Sequence, residues 1–160
     1  MIMKRNLSQK IEQFWETPSH DQIVEISGAH VQALESSKDD AVWNQVGMEH
    51  ILLTTVGRRS GKKHKCALPI WRDSHNERVV VGSFAGADKE PDWVANIRDQ
   101  QSNSKVWIVT QINQFWSMPQ ILDNKERDFT WEKLCEDRAW YNDYQKKTTR
   151  LIPLIRFPEE

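Results

Sequence analysis

The chain has 160 residues, a mass of 18.9 kDa and a formal net charge of −1, which suits one domain and gives no bulk attraction to nucleic acid or an anionic membrane. Hydrophobic residues make up 38%, but eight Trp, five Phe and two Tyr supply large apolar surfaces that argue against disorder. No run approaches the roughly 18 apolar residues of a membrane helix.

The start, MIMKRNLSQKIEQFWE, lacks the apolar run of a secretory signal. Leu7, Ile11, Phe14 and Trp15 fall on one helical face. Packing on its own barrel is the common use of such a helix; peripheral membrane or partner contact is the lesser one. A second helix is predicted from about Asp21 to Leu34, with Ile23, Ile26, Val31 and Leu34 as its apolar positions. The period then changes. Ile51 to Val56, Cys66 to Trp71, Val79 to Val81, Val106 to Val109 and Gln114 to Met118 read as short strands. Between them, Asp88 to Arg98 has a proline and acids near its start and an arginine in its last turn, which predicts a helix. Helices are also predicted over Asn124 to Glu136 and Tyr141 to Lys147. The tail Leu151 to Phe157 reads as a last strand that Pro153 makes an edge strand or bulges. Short strands in the middle, with helices before, between and after, favour α+β with a small antiparallel barrel.

Gly57 to Lys65, GRRSGKKHK, carries five positive charges and no acid in a chain of net −1, so the remainder carries −6. Its glycines permit the left-handed backbone that lets N–H groups converge on an anion. Arg and Lys supply forked and mobile cationic donors. A polyanionic small ligand and a merely solvated hairpin turn both fit this composition. Nucleic acid fits less well, given the acidic remainder and the lack of an RNP-type motif. The spacing is not that of a Walker loop.

Elsewhere, Trp93 reads as a core anchor and Asn96 as a residue that caps or binds a loop. Trp71, Trp107 and Trp116 read as barrel core. The five histidines lack HxxxH or HExxH spacing, so no metal site is expected. No G-x-S-x-G elbow supports a hydrolase. Cys66 and Cys135 form no CxxC or Cys/His ligand pattern, which suits free thiols in a cytoplasmic protein.

Three stretches, ILLTTVGRRSGKK from Ile51, VVVGSFAGADKEPDWVANIRD from Val79 and YNDYQKKTTRLIPLIRF from Tyr141, together resemble the deazaflavin-dependent nitroreductase (deazaflavin-dependent oxidoreductase) family from about Glu49 to Phe157. The resemblance implies a split β-barrel like that of flavin-binding oxidases, flanked by helices. Residues 1–48 would form a helical extension and 49–160 the coenzyme-binding part of one domain. It implies coenzyme F-420, with phosphate and acidic tail gripped by Arg58, Arg59, Ser60 and Gly61, and with Lys62, Lys63, His64 and Lys65 as further contacts. Ser83, Phe84, Ala85 and Gly86 would lie by the ring system, and Tyr141 and Tyr144 on the substrate side. Ser83, Tyr141 and Tyr144 are then the candidates to bind the acceptor oxygen or relay a proton. Family members carry lysine at Phe84, arginine at His64 and tyrosine at Pro69. Those departures leave FMN or a tetrapyrrole as alternative ligands. The implied activity is hydride transfer from a reduced deazaflavin to a planar acceptor such as a quinone or nitroaromatic. The alternative is a non-catalytic FMN- or tetrapyrrole-binding carrier of the same fold. A dimer is compatible with either.

Overall fold

The computed structural model describes residues 20–160, so the amphipathic segment from Leu7 to Trp15 lies outside the described residues. The helix predicted near Asp21 is α1 (His20–Ser36), followed by the single turn α2 (Asp40–Trp43). The chain then enters β1 (His50–Val56), β2 (Lys63–Pro69), β3 (Trp71–Arg72) and β4 (Arg78–Val81). After α3 (Asp92–Arg98) and α4 (Gln100–Asn103) come β5 (Val106–Val109), β6 (Gln114–Ser117) and β7 (Gln120–Ile121). Two helices, α5 (Asn124–Asp137) and α6 (Trp140–Lys146), precede β8 (Leu154–Arg156).

The strands form two antiparallel four-stranded sheets, ordered β2-β1-β5-β6 and β3-β4-β8-β7. Among the described residues no ladder joins one sheet to the other, so the barrel is not closed. Alternation along each strand decides the layers. Ile51, Leu53, Ile108 and Phe115 of the first sheet face Val80 and Ile155 of the second across one core, with Trp93, Ile97 and Phe157. Leu52 points the other way, under Leu34 of α1 and Trp43 of α2. Val79 and Leu154 point to the far side of the second sheet, into a core with Leu134, Trp140, Tyr141 and Tyr144. The order is therefore helices, sheet, shared core, sheet, helices.

Two expectations need correction. The last strand is not at an edge: β8 lies between β4 and β7, and Pro153 precedes it, so its missing N–H removes no ladder bond. Its carbonyl instead accepts from the Gly82 amide at 2.9 Å. Nor are Trp107 and Trp116 in the core. They are register partners on the outer face of the first sheet, ring centroids 5.0 Å apart, and Trp116 is 51% exposed. The inward positions belong to their neighbours Ile108 and Phe115. Trp93 does anchor the core, 6.4 Å from Phe157. Among the described residues no helix is long and apolar enough to cross a membrane.

Candidate functional site

Residues 57–62 of the basic stretch are the β1–β2 hairpin connection, and Lys63, His64 and Lys65 are the first residues of β2, not of the turn. The Gly57 amide donates to the Lys62 carbonyl at 2.8 Å, and Gly61, at φ +68°, donates back to the Gly57 carbonyl at 2.9 Å. Ser60 Oγ accepts from the Lys62 amide at 3.1 Å and lies 3.3 Å from His64 Nε2. A Cβ on Gly57 would stand 2.5 Å from that hydroxyl, so the glycine makes room for the Ser60–His64 pair. Residues 59–65 are exposed, whereas Arg58 is half-buried.

The five cations are not equivalent. Arg58 is tied to α3: its amide and Nη1 both donate to Asn96 Oδ1, at 3.2 and 2.9 Å, and Nη2 lies 3.6 Å from Asp92. Lys65 pairs with Glu35 of α1 at 3.0 Å. No carboxylate of a described residue lies within ion-pair distance of Arg59, Lys62 or Lys63. Arg59 and Lys62 project from the turn and Lys63 from the start of β2, and the hairpin end is itself fixed. Asn96 Nδ2 donates to Thr55 Oγ1 at 3.2 Å. Asn103, 1% exposed, accepts from the Val56 amide at 2.7 Å and donates to the carbonyls of Val56 and Asn96, both at 2.8 Å. Buried amides so fully partnered resist displacement, because each lost partner leaves a desolvated polar group.

Ser83 to Gly86 form a tight turn after β4. Ser83 is buried, while Phe84, Ala85 and Gly86 follow one another at φ 45°, 55° and 78°. A Cβ on Gly82 would be 2.9 Å from Val94 of α3 and 2.8 Å from Pro153. The hairpin and this turn thus flank the same short helix: Arg58 reaches its Asp92 and Asn96, and Gly82 packs on its Val94. A Cβ on Gly86 would be 2.7 Å from the Tyr144 carbonyl, which seats the turn on α6.

Tyr141 and Tyr144 share one face of α6, with ring centroids 5.8 Å apart and exposures of 6% and 3%. Trp131 and Trp140 stand around Tyr141 at 6.5 and 5.6 Å. Burial raises the Tyr141 pKa above its ordinary value, with Arg138 opposing; the phenol is a donor at neutral pH, not a base. Burial also pushes the Cys66 and Cys135 thiols to about 11, so neither offers a thiolate. Among the described residues no three His, Cys, Asp or Glu groups cluster to hold a metal.

A cavity of about 380 Å³ opens beside the hairpin on the outer face of the first sheet, lined by Lys63, Lys65, Asn103, Lys105, Trp107 and Trp116 among others. No residue of the Ser83–Gly86 turn lines it. Asn103, which fixes the hairpin, escapes a sequence reading because a lone Asn on a one-turn helix has no periodic signature.

A sequence model of the F420H(2)-dependent quinone reductase family matches residues 28–157. Among solved structures, an F420-H2 dependent reductase (FDR-A) is 29% identical with a TM-score of 0.56, over 68% of this chain and 93% of that one. A second, described as a domain-swapped dimer, has the same identity and TM-score over 68% of this chain and 79% of that chain.

Proposed function

The chain belongs to the F420H(2)-dependent quinone reductase family, which is an oxidoreductase family, and from that premise we propose that it passes hydride from reduced F420 to a planar acceptor, a quinone or nitroaromatic. The observation that carries this reading is the hairpin with three cations, Arg59, Lys62 and Lys63, that pair with no carboxylate among the described residues, on a backbone locked by Asn96 and Asn103. Such a donor set fits a phosphate and a run of carboxylates, and it needs no metal or nucleophile beside it.

When bound, the coenzyme supplies the hydride; the chain's own residues bind, orient and donate. Arg59, Lys62 and Lys63, with Ser60 and the Gly61 amide, take the anionic end. Arg58 and Lys65 shape the turn and add charge from behind, and His64 holds Ser60. Ser83, Phe84, Ala85 and Gly86 lie beside the ring. Ser83, Tyr141 and Tyr144 supply hydroxyl donors toward the acceptor oxygen, where negative charge grows in the transition state. We read the two open sheets as the halves of a split barrel, with residues 49–160 carrying the site.

Replacing Arg59 and Lys62 together by Ala tests the reading. Each charge-assisted contact is worth roughly 1.5–3 kcal/mol, so F420 affinity should fall at least tenfold, about 1.4 kcal/mol being one decade. The melting temperature should hold within about 2 °C, because both side chains are exposed. Arg58→Ala, by contrast, should lower both. Unchanged affinity in the folded double variant would leave a solvated turn, and F420 binding without turnover of menadione would make the protein a carrier.

A further inference from the structure

The turn after β4 holds a conformation that its own residues oppose. Phe84 and Ala85 sit in the left-handed region, where a Cβ crowds the following carbonyl and where glycine or asparagine is the usual occupant. Main-chain bonds close the turn, from the Gly86 amide to the Ser83 carbonyl at 2.9 Å and from the Ala87 amide to the Phe84 carbonyl at 3.1 Å, and a side-chain restraint is added by Arg150, in the segment between α6 and β8. Nε donates to the Ala87 carbonyl at 2.8 Å, Nη1 to Gly82 at 3.2 Å and Nη2 to Ser83 at 2.8 Å. The guanidinium therefore bridges both ends of the turn. No carboxylate of a described residue lies within ion-pair distance of Arg150, so its fork is spent on main-chain oxygens. On its other side the turn has no slack, since a Gly86 Cβ would meet the Tyr144 carbonyl and, at 3.1 Å, Lys147 Cβ.

We propose that Arg150 is a positioning residue for the hydride transfer: it holds Ser83–Gly86 in the left-handed form and thereby sets where that turn meets the coenzyme ring. The proposal rests on the reading in which this turn lies beside the ring. A lysine is no substitute, because one ammonium cannot reach three divergent carbonyls that a planar fork spans at once.

The test measures F420 affinity, single-turnover reduction of menadione and melting temperature in five variants. Arg150→Gln and Arg150→Lys should each weaken affinity or slow transfer roughly tenfold, the scale of lost charge-assisted bonds. Ala85→Gly removes one of the two Cβ atoms that oppose the left-handed form, at φ 55°, so that form is easier to hold without Arg150. Combined with Arg150→Gln, it should restore at least about threefold of the loss. An arginine that only stabilises the fold would lower the melting temperature without that recovery, and such a result overturns the proposal. Phe84→Ala leaves every Arg150 bond in place and probes the site itself. A shift in affinity with Phe84→Ala but none with either Arg150 variant removes the role of Arg150 and spares the site. No shift in any variant removes both. Should Arg150→Gln fail to fold, Arg150→Lys alone and with Ala85→Gly decides by the same recovery.

Discussion

Tyr141 and Tyr144 lie in the second core, where burial keeps the Tyr141 phenol protonated. A protonated phenol is suited to donate a hydrogen bond to an acceptor oxygen as charge develops there, and unsuited to abstract a proton. Tyr144 has the more direct relation to the Ser83 turn, because its main chain touches Gly86. Changing either Tyr to Phe keeps the ring packing and deletes only the hydroxyl. F420 affinity should survive, and quinone reduction should slow by about tenfold or more, the scale of one lost donor. Steady-state rates with menadione check this; full activity in both variants would assign the rings to packing. At this scale the sequence was informative about residue type and poor about commitment. The five cations of GRRSGKKHK are plain to read, but that Arg58 and Lys65 are spoken for depends on Asp92, Asn96 and Glu35, which arrive from distant elements. Phe84 and Ala85 give no sequence sign of their left-handed backbone, since neither is Gly or Asn.

The hairpin owes its rigidity to two one-sided junctions with α3 and α4. Asn103 satisfies the amide and carbonyl of Val56 and the carbonyl of Asn96 at once. Asn103→Ala would strand buried main-chain groups at the end of β1, a loss of roughly 1–3 kcal/mol. In a domain of this size that is a fall of about 3–10 °C in melting temperature, measurable by calorimetry, with weaker F420 binding as the hairpin loosens. An unchanged melting temperature would mean that water replaces the amide. Elements with a clean period were legible: β1, β4, β5 and β6 begin and end within about a residue or two of the apolar runs. The two-residue strands β3 and β7 carry too few positions for any period. The inward or outward sense of β6 was lost for another reason. Phe115 and Trp116 are both aromatic, so alternation alone does not say which faces the core.

Across the whole molecule, α1 is fastened to the first sheet by Leu34, beside Trp43 of α2, and by a pair of histidines, His30 and His50, with ring centroids 4.8 Å apart. Burial lowers the His50 pKa to about 4, with His30 and Arg138 adding to the effect against hydrogen bonds to the carbonyls of Met48 and Trp43; burial lowers His30 as well. The unfolded chain therefore binds protons more readily than the folded one between about pH 4 and 6.5. Stability should be complete above pH 6.5 and decline as the pH falls toward 4, by up to about 3 kcal/mol from His50. Thermal melts at pH 7 and pH 4.5 would show the drop, and His50→Asn should flatten it; equal slopes for the two proteins would place the effect elsewhere.

β4 and β8 lie side by side in the middle of the second sheet, and each gives alternate residues to both of its faces. Ile155 completes one core and Leu154 the other. On a chain made from its N-terminus, neither core is closed until the residues after α6 have emerged. The hairpin and α3 are synthesised long before that moment. The first sheet thus waits, with Ile51, Leu53 and Ile108 covered only in part by Val80, Trp93 and Ile97, for a three-residue strand, and that interval leaves apolar surface open to aggregation or chaperone capture.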